Sequence, residues 1–525
     1  MTEFDPPSRG PDRRGLLKGA AATGLVAAMP LALPRRARAA PKRGGTFRVG
    51  VHDGNTTDSW DPATTESILM IHASHVARSY LTEITSENTL GPDLATEWEA
   101  IGGDAARWRF ALAGDASFHD GRPVTSADVI ASMNYHRGED STSAAKALLG
   151  DIAEIRADGD HAVIFELARG NADLPYLLSD FHLVILPATP DGGIEWRGGI
   201  GCGPYRVTEF EPGIRAVFER HDGWHRAGSG AWFDAVEMIV LNDPNARQTA
   251  IVTGDVDAVT DVDLKTADML ARAPGVILDD VPSGTHITMP MHVDVAPFDD
   301  LDVRLALKHA IGRQEIVDKI LFGRGTVGND HPIAPTMPFH ADLPQREQDL
   351  DRARHHLKKA GHDRLSVDIS VNDTLLSGAV NMCSLFAEQA RPAGLDINVV
   401  REPADGYWSD VWLKKPFCVV SWAARPTPDV MFSIAYKAGA EWNESHWENE
   451  RFNDLLVRAK SETDPALRAE MYAEMQSLCR DDGGTIVPFF RNRTSARRDT
   501  VMHGDSIAAV WELDGARGYH RWWFA

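Results

Sequence analysis

The densest group of possible ligand-binding side chains lies between Tyr407 and Trp447. This segment also contains Tyr436 and holds five of the fourteen tryptophans of the chain: Trp408, Trp412, Trp422, Trp442 and Trp447. Such rings can stack on a flat ligand or enclose a cationic amine, but they also pack in protein cores. We expect core packing for Trp412 and Trp447. Tyr407, Trp408, Trp422 and Trp442 are the candidate ligand contacts.

Two charged residues follow Trp422 in the run 421–429 (SWAARPTPD), Arg425 and Asp429. The planar guanidinium of arginine suits two-pronged binding of a carboxylate, phosphate or sulfate. Arg425 is therefore a candidate ligand clamp, and Asp429 is a second candidate contact. An ion pair between Arg425 and a neighbouring acid such as Asp429 is the alternative, and the sequence leaves both interpretations open.

Common catalytic signatures are absent from the sequence. It has no HExxH, G-x-S-x-G or P-loop motif and no G-x-G-x-x-G run after a strand. The twenty histidines are dispersed. His52, His286 and His292 are candidates for holding a metal chelate or haem, although single histidines at strand ends are more often structural. We expect no catalytic residue, no metal site and no cofactor.

Cysteine spacing excludes a zinc ribbon and a thioredoxin-type motif, because Cys202, Cys383, Cys418 and Cys479 form no CxxC pair. A disulfide between Cys418 and Cys479 and four free buried thiols are both compatible with the sequence.

Length and charge narrow the class of protein further. With 525 residues the chain is long enough for two or three lobes. Its net charge of -22 makes nucleic acid and anionic membrane surfaces poor partners.

The N-terminal 39 residues resemble an export signal. The run 12–18 (DRRGLLK) is similar to the twin-arginine signature, and residues 19–33 are rich in Ala, Gly and Leu. That stretch is too short and weakly apolar for a bilayer span, which needs about 20 apolar residues. An A-x-A site at 37–39 predicts cleavage before Ala40. An uncleaved basic anchor helix is the alternative.

Local patterns predict a mixed α/β chain. Alternating apolar residues in 45–51, 108–112, 163–167 and 216–220 indicate strands. A capping box of Thr125 and Asp128 begins one helix, and Asp464 with Pro465 begins another. Apolar residues at intervals of three and four predict one helix over 302–322.

Several of these segments resemble, in the same order, the bacterial solute-binding proteins of the dipeptide/oligopeptide/nickel-binding family. The matching motifs are 60–63 (WDPA), 94–99 (LATEWE), 118–123 (FHDGRP) with 127–129 (ADV), 201–205 (GCGPY), 297–298 (PF) with 303–307 (VRLAL) and 310–313 (AIGR), and Arg468, Met471, Tyr472 and Gln476. They extend over nearly the whole chain after the signal segment. Each motif is weak alone, and their order is what carries the resemblance.

The resemblance implies an α/β, two-lobed periplasmic-binding-protein fold with mixed sheets, a hinge between the lobes and an extra subdomain in the first lobe. The expected divisions are a signal peptide (1–39), lobe I (40–85, 185–283 and 485–525), its extra subdomain (86–184) and lobe II (284–484). The crossings between lobes are expected near 282–285 and 483–486. Ligand would bind in the cleft, and closure over it would be sensed by the membrane permease.

The resemblance also implies a binding protein and not an enzyme. It would be a monomeric periplasmic receptor that delivers a peptide-like or other small polar solute to an ABC permease and its ATPase subunits, with no nucleic-acid partner. In peptide-binding relatives an aspartate shortly after the Trp422 position holds the ligand's ammonium, whereas Arg425 falls there in this chain. Trp60 and His286 are added to the candidate contacts. Alternatives are a twin-arginine-exported periplasmic enzyme, or the same fold with a metal-chelate, haem, opine or quaternary-amine cargo.

Overall fold

Strands and helices alternate along the chain in the computed structural model, which describes residues 41–525. The predicted signal peptide lies outside these residues. The helices are α1 (Ile68–Ala77), α2 (Ser126–Tyr135), α3 (Leu174–Leu177), α4 (Pro244–Thr253), α5 (Leu264–Leu270), α6 (Leu301–Ala310), α7 (Arg313–Ile320), α8 (Leu350–Lys359), α9 (Ala379–Ala390), α10 (Pro428–Ala435), α11 (Glu450–Ser461), α12 (Pro465–Asp481) and α13 (Gly518–Arg521). No described helix is long and apolar enough to cross a membrane.

The strands form three larger sheets and three pairs. They are β1 (Thr46–Val51), β2 (Thr82–Ile84), β3 (Leu90–Pro92), β4 (Ala95–Ala100), β5 (Arg107–Leu112), β6 (Ile152–Ala157), β7 (Ala162–Leu167), β8 (Tyr205–Glu211), β9 (Arg215–Arg220), β10 (Ala235–Val240), β11 (Ala258–Val259), β12 (Val276–Val281), β13 (His286–Pro290), β14 (Gly325–Val327), β15 (Leu365–Val371), β16 (Leu395–Arg401), β17 (Val420–Trp422), β18 (Thr485–Ile486), β19 (Phe489–Arg491), β20 (Arg493–Arg498), β21 (Val501–Met502) and β22 (Trp523–Phe524).

The largest sheet has seven strands in the order β12-β20-β11-β1-β10-β9-β8. Strand β1 lies in its middle and pairs in parallel with β10 and β11. Phe47, Val49 and Val51 of β1 are fully buried, as the alternation of its sequence predicted. They pack with α1 and the C-terminal residues in one apolar core.

A second sheet has the order β14-β19-β13-β17, and β18 also pairs with β13. It packs in the largest apolar core, whose members fall between Ile287 and Phe489. The parallel pair of β15 and β16 belongs to the same core.

The third sheet is antiparallel, in the order β4-β5-β7-β6, and it has a core of its own that includes residues of α2. The predicted capping box begins α2: the Thr125 backbone N–H and hydroxyl both donate to Asp128 Oδ2 at 2.8 Å. The predicted start at Asp464 is also confirmed, because its carboxylate accepts from Ala466 N at 2.8 Å at the beginning of α12.

The single helix predicted over 302–322 is wrong, because it is broken into α6 and α7 at Ile311 and Gly312. Gly312 N donates to Gln389 Oε1 at 2.8 Å, and Gln389 Nε2 donates back to Gly312 O at 3.2 Å. A side chain from α9 thus replaces the helical hydrogen bonds at this point. The break depends on a residue far away in the sequence, which a local apolar pattern does not contain.

The chain passes between the first and second sheets twice. It leaves the seven-stranded sheet after β12 and enters β13, and it returns between β19 and β20 at Asn492. The first passage lies at the expected residues 282–285. The second lies later than the expected 483–486, where Gly484 instead permits close packing: a Cβ there would lie 2.7 Å from Met291 O.

All four cysteines are free and buried, so the structure contains no Cys418–Cys479 disulfide. Burial raises the pKa of each thiol, that of Cys202 to about 12.

Candidate functional site

A cavity of about 450 Å³ is lined by four separated parts of the chain. They are residues 75–84, 144–182, 423–442 and 493–517. The third part is the loop and helix that follow β17. The other three parts lie outside the second sheet. This volume is in the range of cavities that hold small molecules. We call this cavity the cleft.

A larger cavity of about 570 Å³ lies beside the passage at Asn492. Its two arginines, Arg247 and Arg491, lie 3.3 and 3.7 Å from the carboxylate of Asp261. Both arginines there are already paired, and Lys265, the other cationic side chain of the lining, is exposed to water. This cavity is therefore the weaker candidate for binding an anionic group.

Arg425 lines the cleft from the loop between β17 and α10. Its guanidinium lies 5.6 Å from the centre of the Trp422 ring and donates to the carbonyls of Ala423 and Ala424 at 3.3 and 3.4 Å. Burial lowers the pKa of Arg425, and the charge of Asp180 opposes that shift. Within residues 41–525 no carboxylate oxygen lies within 4.0 Å of this guanidinium, so the ion pair with Asp429 is not present.

Other charged groups that line the cleft have partners. Arg493 is paired with Glu512, and Arg517 lies 2.9 Å from Glu83. Asp180 accepts a hydrogen bond from His182 at 2.7 Å. Of the three arginines that line the cleft, Arg425 alone has no acidic partner among the described residues.

Aromatic side chains from separate parts of the chain line the cleft. Trp442 is 39% exposed, and its ring centre lies 6.0 Å from that of Trp422 and 5.9 Å from that of Trp412. Trp511 and Phe181 also line the cleft and meet edge to face at 5.4 Å. A flat ligand group in the cleft would therefore have aromatic surface available for contact.

Buried Glu444 fixes the tryptophans of one wall. It accepts hydrogen bonds from Trp412 Nε1 at 2.8 Å and from Thr288 Oγ1 at 2.9 Å. Burial raises the pKa of Glu444 to about 7. Because Trp412 packs on Trp442, this network limits how far the exposed ring can move.

The predicted contacts are only partly brought together. Arg425 and Trp442 line the cleft, and buried Trp422 lies beneath both. His286 pairs with Trp422 across β13 and β17; its Nδ1 donates to Gly284 O at 2.9 Å, and burial lowers its pKa to about 4.

The remaining predicted contacts lie away from the cleft lining. Tyr407 is buried and donates to Val419 O at 2.8 Å. Trp408 is 53% exposed and packs on Trp412. Trp60 lies in the core of the seven-stranded sheet, 5.1 Å from the Phe210 ring.

Asp429 is buried behind the cleft at the start of α10. Its Oδ1 has no hydrogen-bond partner, and burial together with the nearby Asp173 raises its pKa to about 7. Asp173 itself is paired with Arg468 at 2.6 Å.

Sequence reasoning missed one wall of the cleft, which contains Asp180, Phe181, Trp511 and Arg517. The run 176–182 (YLLSDFH) combines aromatic, acidic and histidine residues after α3, and that concentration was the available signal. Trp511 had none. The turn Glu512–Ala516 that follows it has positive φ at residues 513–516, a conformation costly for residues other than glycine.

Comparison with known proteins gives consistent matches. The model of the bacterial extracellular solute-binding proteins, family 5 (middle part), matches residues 89–444. A probable peptide ABC transporter periplasmic-binding protein of Sinorhizobium fredii NGR234 is 25% identical over 342 residues, which cover 62% of this chain and 61% of that protein. The dipeptide-binding protein of Escherichia coli K12 is 22% identical over 438 residues, covering 75% of this chain and 80% of that protein. The structure of AgaA from A. tumefaciens R10 in complex with agropinic acid aligns with a TM-score of 0.72 at 20% identity, covering 92% of this chain and 99% of that one.

Proposed function

Since the chain belongs to the bacterial extracellular solute-binding proteins of family 5, we propose that it captures a small zwitterionic solute in the cleft and presents it to an ABC permease. Its fold is the two-lobed α/β fold of periplasmic binding proteins. The cleft lies between the predicted lobes, where hinge closure can enclose a ligand.

The observation that carries the proposal is the unpaired charge of Arg425. A guanidinium that is partly withdrawn from water without an acidic partner has unused donors, and a carboxylate or another oxyanion satisfies two of them at once. Asp180 faces the same cavity and acts on Arg425 electrostatically without touching it. A ligand with an anionic group at Arg425 and an amine towards Asp180 would neutralise both.

The size and apolar surface of the cleft support a small ligand with a flat or aliphatic part. The cavity of about 450 Å³ suits a molecule of roughly dipeptide size, and Trp442, Trp511 and Phe181 give its lining an aromatic part. Peptides and opine-like conjugates, in which an amine and carboxylates occur together, are the solute classes that fit. Binding proceeds without chemical conversion.

A solute screen by thermal shift tests the proposal first. A ligand that binds only the folded state at a hundredfold excess over its Kd stabilises the protein by about 2.7 kcal/mol. Hits should be zwitterions, and mass spectrometry should recover them unchanged. Conversion of a hit by the pure protein would favour an enzyme instead.

Calorimetry with variants then tests the residues. Loss of one partner of a buried charged pair costs about 2–5 kcal/mol, so Arg425→Ala should weaken binding of a hit roughly 30-fold to several thousandfold. Arg425→Lys should recover only part of it. Asp180→Asn should weaken zwitterions more than the corresponding anions that lack the amine.

Arg451→Ala is the matched control, because Arg451 is half exposed on α11 and paired with Glu474. It should bind every hit like the wild type. If Arg425→Ala binds normally and melts several degrees lower, Arg425 has a structural role and the proposed binding mode is wrong.

The proposal includes export in folded form and action as a monomer outside the cytoplasmic membrane. Residues 1–39 would act as a twin-arginine signal. Changing Arg13 and Arg14 together to Lys should leave precursor in the cytoplasm, and the wild-type mature protein should begin near Ala40. Efficient export of the double variant would contradict this route, and sedimentation of a dimer would contradict the monomer.

A further inference from the structure

Three side chains that are good metal ligands meet on one surface of the protein. His292 and Asp294 follow β13, and His446 lies in the loop before α11. One ligand atom from each lies within 4.8 Å of the others. His446 Nδ1 is 2.9 Å from Asp294 Oδ1.

The backbone holds the two segments together. Val293 N donates to Ser445 O at 2.9 Å, and His292 N donates to Pro416 O at 2.9 Å. His446 has a φ of 55°, which few residues other than glycine adopt. The histidines are therefore kept adjacent by the fold of this region, not by chance contact of mobile chains.

His292 is the buried member of the three residues. Its side chain belongs to a residue only 5% exposed, and its ring lies 4.0 Å from that of His446 at an angle of 25°. Neither ring nitrogen of His292 has a hydrogen-bond partner among residues 41–525. The nitrogens of this imidazole are therefore available as metal ligands beside a histidine and a carboxylate.

We propose that His292, Asp294 and His446 bind one divalent transition-metal ion of the kind that prefers imidazole, such as Zn²⁺ or Ni²⁺. Two nitrogens and one carboxylate oxygen would leave the remaining coordination positions to water. Ligand atoms about 2.1 Å from zinc lie about 3.4 Å apart in a tetrahedron. The side chains of Asp294 and His446 are 59% and 38% exposed and are free to rotate by the short distance required.

This site differs from the cleft and does not depend on the proposed solute. None of its three residues lines the cleft; two follow β13, and His446 lies in the loop before α11. Metal binding should therefore need no closure and should leave solute affinity unchanged. No metal site was predicted from the sequence. The sequence could not bring these ligands together, because Asp294 and His446 are 152 positions apart in the chain.

The test uses mature protein without a histidine tag, freed of metal by chelation. Titration with ZnCl₂ or NiCl₂ in a calorimeter, with native mass spectrometry, should give one equivalent bound. His446→Ala and His292→Phe, which retains a ring in the buried position, should each weaken Zn²⁺ binding at least tenfold. His161→Ala removes an exposed histidine elsewhere and should match the wild type.

Solute affinity measured on the same variants separates this proposal from the previous one. It should remain within twofold of the wild type. Equal zinc affinity and stoichiometry in the wild type and the His292→Phe/His446→Ala double variant would overturn the proposal, as would the absence of any bound ion in the wild type at millimolar zinc.

Discussion

Replacement of Asp173 by asparagine should weaken closure of the cleft more than it weakens folding. Asp173 precedes α3 in the predicted extra subdomain, and its carboxylate lies 2.6 Å from Arg468 on α12 of the predicted second lobe. The side chains are 1% and 7% exposed. A second pair of the same kind, Lys460 and Asp151 at 2.9 Å, lies nearby.

The magnitude follows from what the substitution leaves behind. Without Asp173 the guanidinium of Arg468 stays buried against the rings of Phe339 and Tyr472, 4.9 and 5.5 Å away. Removing one partner of a buried ion pair costs about 3–5 kcal/mol. Asparagine still accepts a hydrogen bond, so we expect the lower value of about 3 kcal/mol, or roughly 150-fold in affinity for a ligand that requires the closed form.

Two measurements distinguish closure from folding. Calorimetry with a hit from the solute screen gives the affinity, and the melting temperature of the unliganded protein gives the folding contribution. Affinity should fall while the unliganded melting temperature changes by at most a degree or two. Glu474→Gln on the same helix breaks an exposed pair with Arg451 and should alter neither by more than about 1 kcal/mol.

The opposite pattern would refute the reasoning. If Asp173→Asn binds normally but melts several degrees lower, Asp173 and Arg468 belong to one rigid body. The boundaries 86–184 and 284–484 would then be wrong.

Three further predictions concern buried groups. The pKa of Asp429 is raised to about 7. The protonated carboxyl therefore stabilises the folded protein fully below its unfolded pKa of about 4, and this contribution is lost as the pH rises to 7. In urea unfolding, the stability of the wild type relative to Asp429→Asn should fall over this pH range, and parallel pH curves would contradict the prediction. Lys308→Met should lower the free energy of unfolding by about 2–4 kcal/mol, because Nζ donates to three carbonyls at the C-terminal end of α12, the shortest at 2.7 Å. Exposed Lys319→Met should cost under about 1 kcal/mol, and equal effects of the two substitutions would refute the prediction. A thiol reagent should react slowly with the native protein and count four thiols in denaturant; a count of two would indicate a disulfide instead of the free cysteines found here.

Features fixed by neighbouring residues could be predicted from the sequence. The capping box at Thr125, the helix start at Asp464 and the alternating strand β1 depend on residues within a few positions, and all three are present. The helix predicted over 302–322 failed because Gln389 supplies the hydrogen bonds that replace helix at Gly312. A pattern read within one segment cannot include a partner from another helix.

Residue type alone could not separate cleft residues from core residues in the segment Tyr407–Trp447. All the candidate rings there are compatible with stacking, yet Trp442 lines the cleft while Tyr407 is used in a core hydrogen bond to Val419 O. What distinguishes them is which face the fold leaves open, and that depends on where β17 pairs with β13.

Arg425 could be identified because its charge is unusual at that position of the family pattern, and a charge must find a partner when water is removed. Asp180, the acidic residue that faces the same cleft, lies 245 positions earlier in the chain. No sequence pattern connected its segment with Arg425. The selectivity proposed for the cleft depends on both charges and on the gap between them. Asp180 accepts hydrogen bonds from His182, and a ligand amine would add a positive charge beside this carboxylate, so the same geometry that attracts an anion also favours one that carries an amine.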